Sequence, residues 1–143
     1  MTAVAGQELA TAVRLGDVVG RLVRMLRRSH VTPVSSSVMS ALATVVRYGP
    51  IRLGELAERE GVTPATLSKI VTALEREGYT SRRTDPSDRR AAFLSATAAG
   101  QAALDELLSA RAHVLVEAMA SLSDADAAAL AAGLDVIERL IAT

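Results

Sequence analysis

Two histidines, sixteen carboxylates and no cysteine are what this 143-residue chain has for acid–base, nucleophilic or metal chemistry. His30 and His113 stand far apart, at helix flanks. The absence of cysteine excludes disulfides, thiol nucleophiles, thiol redox sensing and Cys-based zinc sites. No phosphate-binding loop, dinucleotide fingerprint or metal-ligand spacing occurs. Paired acids such as Asp105-Glu106 and Asp124/Asp126 read as solvated helix faces and complements of helix dipoles. No enzymatic activity, cofactor or metal is therefore expected, and the chemistry left is that of cations. Fifteen of the sixteen basic residues are Arg, and Lys69 stands alone. Arg82, Arg83, Arg89 and Arg90 crowd into nine residues, just after a stretch rich in small and hydrogen-bonding side chains.

That stretch is the most informative in the chain. Thr63 suits an N-cap and Pro64 the first helical position, where its missing N–H costs nothing. Leu67, Ile70, Val71 and Leu74 follow a helical period and set the buried face. The opposite face then holds Ala65, Lys69, Thr72 and Arg76, flanked by Thr66, Ser68 and Ala73. None of these is acidic and few are bulky. A helix of this kind can enter a major groove, with Thr66, Ser68, Lys69 and Thr72 donating to base edges or phosphates. Its N-terminal dipole also attracts phosphate. The plainer alternative is an amphipathic helix with a solvated outer face. Likewise the arginine cluster, on a turn where an Arg could reach a minor groove, could simply pair with Asp85 and Asp88. The order of the two features, helix pair and then arginine hairpin, favours the nucleic-acid reading.

Charge supports this division. Residues 1–90 carry fourteen basic and nine acidic side chains, whereas residues 91–143 carry two and seven. A neutral chain is thus polarised into a half that attracts a polyanion and a half that repels one.

Periodicity supplies the elements that position these residues. Leu15, Val18, Val19, Leu22, Met25 and Leu26 predict a helix over about 8–28. Ser35 to Ser37 offer an N-cap for a second, closed by Tyr48-Gly49-Pro50 with glycine as terminator. A short helix over Leu53 to Glu60 is followed by Gly61 and the 64–77 helix, closed by Gly78: a helix-turn-helix. Tyr79 to Thr84 and Ala91 to Ala96 read as two strands around the Asp85-Pro86-Ser87-Asp88 turn, with Ile51 as a third edge strand. Thr97 caps a long helix to about Leu122, and Ser123 caps a last one with acids in its first turn. The expected fold is mainly α with a small β-hairpin wing, a winged helix-turn-helix flanked by helical segments. Residues 1–143 form a single domain, with the winged helix-turn-helix lobe that would bind nucleic acid at 35–96 between helical segments at 1–30 and 97–143. No apolar run approaches 18 residues and no secretory signal is visible, which suits a cytoplasmic protein without membrane contact.

Residues 53–100, LGELAEREGVTPATLSKIVTALEREGYTSRRTDPSDRRAAFLSATAAG, resemble the MarR-type winged-helix transcriptional regulators. The resemblance rests on Leu56-Ala57, Val62-Thr63, Ser68, Leu74-Glu75 to Gly78, Asp88 and Arg90 in the wing, and Thr97 with Gly100. Thr80 departs from the pattern where a second apolar residue is usual, and Ala96 where Leu is, which predicts slightly looser strand packing. The resemblance implies that double-stranded DNA is the partner, read by Thr63, Pro64, Ala65, Thr66, Ser68, Lys69, Thr72 and Arg76 on the helix and Arg82, Arg83, Asp88, Arg89 and Arg90 on the wing. It implies a homodimer with intertwined terminal helices, which makes 1–30 and 97–143 a helical dimerisation region and 35–96 a DNA-binding lobe, and a pseudo-palindromic site. The stripes Leu15, Val18, Val19, Leu22 and Leu130, Leu134, Ile137, Ile141 each need a partner, which fits a dimer unless they pack on each other within one chain. It further implies a repressor released by a small phenolic or apolar effector, although three aromatics offer little to stack on a phenol. The competing reading is a winged-helix protein-interaction module without DNA recognition.

Overall fold

Apolar side chains spaced for helices converge on one core in the computed structural model, which describes residues 2–29, 33–85, 87 and 92–142. Among the described residues six helices and three strands follow in the order α1 (Thr2–Ser29), α2 (Ser36–Tyr48), β1 (Ile51–Arg52), α3 (Leu53–Glu60), α4 (Pro64–Arg76), β2 (Thr80–Thr84), β3 (Ala92–Ala96), α5 (Ala98–Met119) and α6 (Asp124–Ile141). The mainly α architecture with a small three-stranded antiparallel sheet is the one expected.

Helix α2 is the hub, packing against α3, α4, α5 and β3. Its Leu42 and Val45 meet Leu56 of α3, Val71 and Leu74 of α4 and Leu94 of β3, all essentially solvent-free. Burying each such leucine contributes about 1.5–3 kcal/mol. Leu104 and Leu107 of α5 close the core from the other side.

The sheet order is β1-β3-β2, so Ile51 does supply the edge strand expected of it. Register pairs Ile51 and Arg82 with Leu94, and Arg52 and Arg83 with Phe93. Because side chains alternate between faces, Arg82 shares the inner face with Leu94, while Arg83 shares the outer face with Phe93 and Arg52.

Four local expectations are corrected. Helix α1 begins at Thr2, not near residue 8, because alanine-rich sequence propagates a helix beyond its apolar stripe. Helix α5 ends at Met119, short of Leu122. Ser35 occupies the N-cap position of α2, but its side chain makes no capping bond and lies 2.9 Å from the Ser37 hydroxyl. Gly49 terminates α2 in an extended conformation (φ −70°, ψ 153°), not a left-handed one. What demands glycine there is space, since a Cβ would collide with the Val45 carbonyl. Gly61 and Gly78 are the left-handed terminators, at φ 62° and 72°.

The Thr97-x-x-Gly100 motif is a joint. Thr97 Oγ1 accepts from Gly100 N at 3.1 Å and donates to the Gly78 carbonyl at 2.6 Å. Thr97 N donates to the Tyr79 carbonyl at 3.0 Å. Gly100 lies so close to Tyr79 that a Cβ would overlap the Tyr79 carbonyl. The start of α5 is thereby fixed to the turn that follows α4.

Candidate nucleic-acid interface

Helix α4 forms as its sequence dictates. Thr63 takes the extended N-cap conformation, its hydroxyl accepting from Thr66 N at 3.2 Å, and Pro64 follows at the first helical positions. Leu67, Ile70, Val71 and Leu74 are buried. Thr63, Pro64, Ala65, Thr66, Ser68, Lys69, Thr72 and Arg76 are all exposed, so the whole expected reading surface faces solvent. Two of its hydroxyls donate locally: Thr63 Oγ1 to Thr66 Oγ1 at 3.0 Å and Thr72 Oγ1 to the Ser68 carbonyl at 2.8 Å. Thr72 Oγ1 retains both lone pairs for an incoming donor, and Thr63 Oγ1, which also accepts from Thr66 N, retains one. Arg76 lies 3.3 Å from Glu77, with its side chain largely in solvent, where such a pair is weak.

The wing divides its arginines. Arg83 is exposed on the outer face. Arg82, on the inner face, turns toward α4 and forks onto Glu75, with Nε 3.1 Å from Oε1 and Nη2 3.3 Å from Oε2. Asp88, Arg89 and Arg90 lie outside the described residues. The hairpin is also fastened from the β1 side. Asp85 is buried, and its Oδ2 accepts from Arg52 Nη2 at 2.8 Å. Its Oδ1 accepts from Ser87 N at 2.8 Å and Ser87 Oγ at 2.6 Å. The Arg52 guanidinium also stands 5.4 Å from the Phe93 ring centre, a cation–π distance.

Arg52, Asp85 and Glu75 went unrecognised as positioning residues at the sequence level. For Glu75 strand parity was an available signal, because adjacent Arg82 and Arg83 cannot share a face.

Beside α4 lies an apolar cleft of about 200 Å³, lined by Leu53, Gly54, Ala57, Pro64, Leu67, Ser68, Val71 and Arg82. Ser68 therefore stands at the lip between this cleft and the outward face.

The terminal helices present apolar surface instead of burying it. On α1, Val18, Val19 and Leu22 are exposed and Leu15 is half-buried. On α6, Leu130, Leu134 and Ile141 are exposed, the last at 75%, and Ile137 is half-buried. Helix α6 buries no residue among those described. Leu9 and Val13 of α1 and Leu108 and Val116 of α5 are exposed as well. No helix among the described residues is long and apolar enough to cross a membrane, and no cluster of three metal-ligating side chains occurs among them.

Residues 34–92 match the MarR family. The chain is 34% identical over 128 residues to the uncharacterized HTH-type transcriptional regulator ML2140 of Mycobacterium leprae, covering 89% of this chain and 90% of that protein. It is 26% identical over 103 residues to the HTH-type transcriptional repressor MdtR of Bacillus subtilis, covering 72% and 64%. Among solved structures, a Pseudomonas aeruginosa PA01 protein assigned as a transcriptional regulator superposes with a TM-score of 0.81 at 32% identity, over 94% of this chain and 96% of that one. A MarR family protein from Bacillus stearothermophilus gives a TM-score of 0.80 at 19% identity, over 100% and 99%. With the exposed helix, the arginine-bearing hairpin and these relatives together, the chain belongs to the MarR family of winged helix-turn-helix, DNA-binding transcriptional regulators, and not to any class of enzyme.

Proposed function

We propose that the chain acts in the cytoplasm as a homodimeric repressor that reads a pseudo-palindromic operator in double-stranded DNA. The observation that carries this reading is the outward face of α4: Ala65, Thr66, Ser68, Lys69 and Thr72 are exposed together, with no carboxylate among them. Two such helices would enter successive major grooves, with half-sites centred roughly 10 bp apart. Thr66, Ser68, Lys69 and Thr72 read base edges, and the helix N-terminus at Thr63 and Pro64 meets phosphate. Arg76 and Arg83 add salt-dependent affinity, and Arg89 and Arg90, from sequence, reach the minor groove. In this arrangement 35–96 forms the DNA-binding lobe. The apolar faces of α1 and α6, within 1–30 and 97–143, join the two copies.

The repressor reading draws on MdtR, and the effector reading on the cleft beside α4. That cleft is mostly apolar, and its one arginine, Arg82, is already paired with Glu75, a chemistry suited to a small apolar or aromatic molecule. BpsR of Bordetella bronchiseptica, a protein of the same fold, has its DNA binding regulated by 6-hydroxynicotinic acid.

The decisive experiment is recovery and sequencing of genomic fragments bound by the purified protein. The expected result is one enriched inverted repeat with half-sites about one helical turn apart. Fragments with no shared motif, or no retained duplex, would refute the reading.

A further inference from the structure

Glu75 is the sole acid of α4, and it lies in the last turn. There the carbonyl end of the helix dipole disfavours a carboxylate, and a nearby phosphate backbone would disfavour it again. Its charge is met by Arg82, seven residues on, past the left-handed Gly78. The contact is a two-point guanidinium–carboxylate fork, which fixes orientation as well as charge. Both side chains are partly shielded, at 44% and 35% exposure. The register explains why Arg82 is available: it projects from the same sheet face as Leu94, toward α4, whereas Arg83 projects away.

We propose that Glu75 is a specificity-determining residue: by holding Arg82 in this fork it withdraws one guanidinium per subunit from phosphate and keeps the wing at a fixed angle to α4. Sequence-independent affinity comes from cations that neutralise phosphates. A regulator that must release random duplex gains discrimination by sequestering a cation it does not need for readout. The fork also makes the reader of one groove and the reader of its neighbour move as one body. This inference rests on α4 and the wing being the duplex-binding surface.

The test is fluorescence anisotropy with a random duplex, and with an operator fragment once recovered, between roughly 50 and 200 mM salt. Glu75→Gln keeps the size and hydrogen-bonding shape of the side chain and removes its charge. For this variant the slope of log K against log salt on random duplex should steepen by about 0.9 for each subunit, one released phosphate contact. Its preference for operator over random duplex should fall. In the double variant Glu75→Gln with Arg82→Gln the extra slope should disappear. An unchanged slope in Glu75→Gln, with the parent binding normally, overturns the inference while leaving the interface standing. So does a steeper slope that persists in the double variant, because the gain would then come from losing the carboxylate and not from freeing Arg82. A parent protein that binds no duplex overturns both. Should Glu75→Gln fold poorly, Glu75→Ala carries the same expectation.

Discussion

Thr80 opens β2 at 5% exposure, and its hydroxyl has no hydrogen-bond partner among the described residues. An unsatisfied buried hydroxyl costs about 1–3 kcal/mol. Because β2 is an edge strand, the lower figure applies. Thr80→Val replaces the hydroxyl by a methyl in nearly the same volume and should stabilise the fold by about 1 kcal/mol. For a chain of this length that raises Tm by about 4 °C. Thr80→Ser is the counterpart: it keeps the hydroxyl and deletes a buried methyl, so it should cost about 1 kcal/mol and lower Tm by a similar amount. Thermal unfolding followed by far-ultraviolet circular dichroism at one fixed protein concentration separates the two, since association would otherwise shift Tm. If Thr80→Val leaves Tm unchanged or lowers it, the hydroxyl is satisfied by solvent and the reasoning fails.

Four further substitutions address other parts of the molecule. Lys69→Ala should change the preferred sequence in a selection from random duplexes while leaving the fold intact; an unchanged preference removes Lys69 from base readout. Gly61→Ala places a side chain at φ 62° in open space and should cost about 1 kcal/mol in denaturant unfolding. Gly100→Ala drives a Cβ into the Tyr79 carbonyl and should cost about 3 kcal/mol, and equal losses for the two glycines would refute the close approach. Leu134→Asp introduces charge into the exposed apolar face of α6. It should shift sedimentation from dimer to monomer and weaken operator binding, whereas an unchanged dimer would place the interface elsewhere.

What was legible in the sequence was local. The cap at Thr63, the terminators Gly61 and Gly78, and the buried run Leu67, Ile70, Val71, Leu74 each depend on neighbours within a few residues, so helix period and capping chemistry suffice to place them. The joint at Thr97 was visible as a cap but not as a weld, because its other partners, Gly78 and Tyr79, lie a hairpin away. The pairs Glu75–Arg82 and Arg52–Asp85 were invisible for the same reason. Each depends on sheet register, and a count of arginines carries no information about which face they occupy. Parity would have separated Arg82 from Arg83. Nothing comparable would have brought Arg52 to Asp85, which needs the β1-β3-β2 order. Gly49 illustrates a different gap: glycine after a helix suggests a left-handed turn, but here it marks a close backbone approach.

The weld at Gly100 also sets a mechanical ratio. Helix α5 has twenty-two residues, which at 1.5 Å each make an arm of roughly 33 Å. Fixed at that end, the arm carries any tilt into the lobe: a tilt of about 5° sweeps its far tip through about 3 Å while Gly78 hardly moves. A shift at the far end of α5 therefore arrives at the turn after α4 as a rotation and hardly at all as a displacement. If two copies join through α1 and α6 as proposed, such a rotation, and not a sliding of the arm, is what alters the span between their α4 helices.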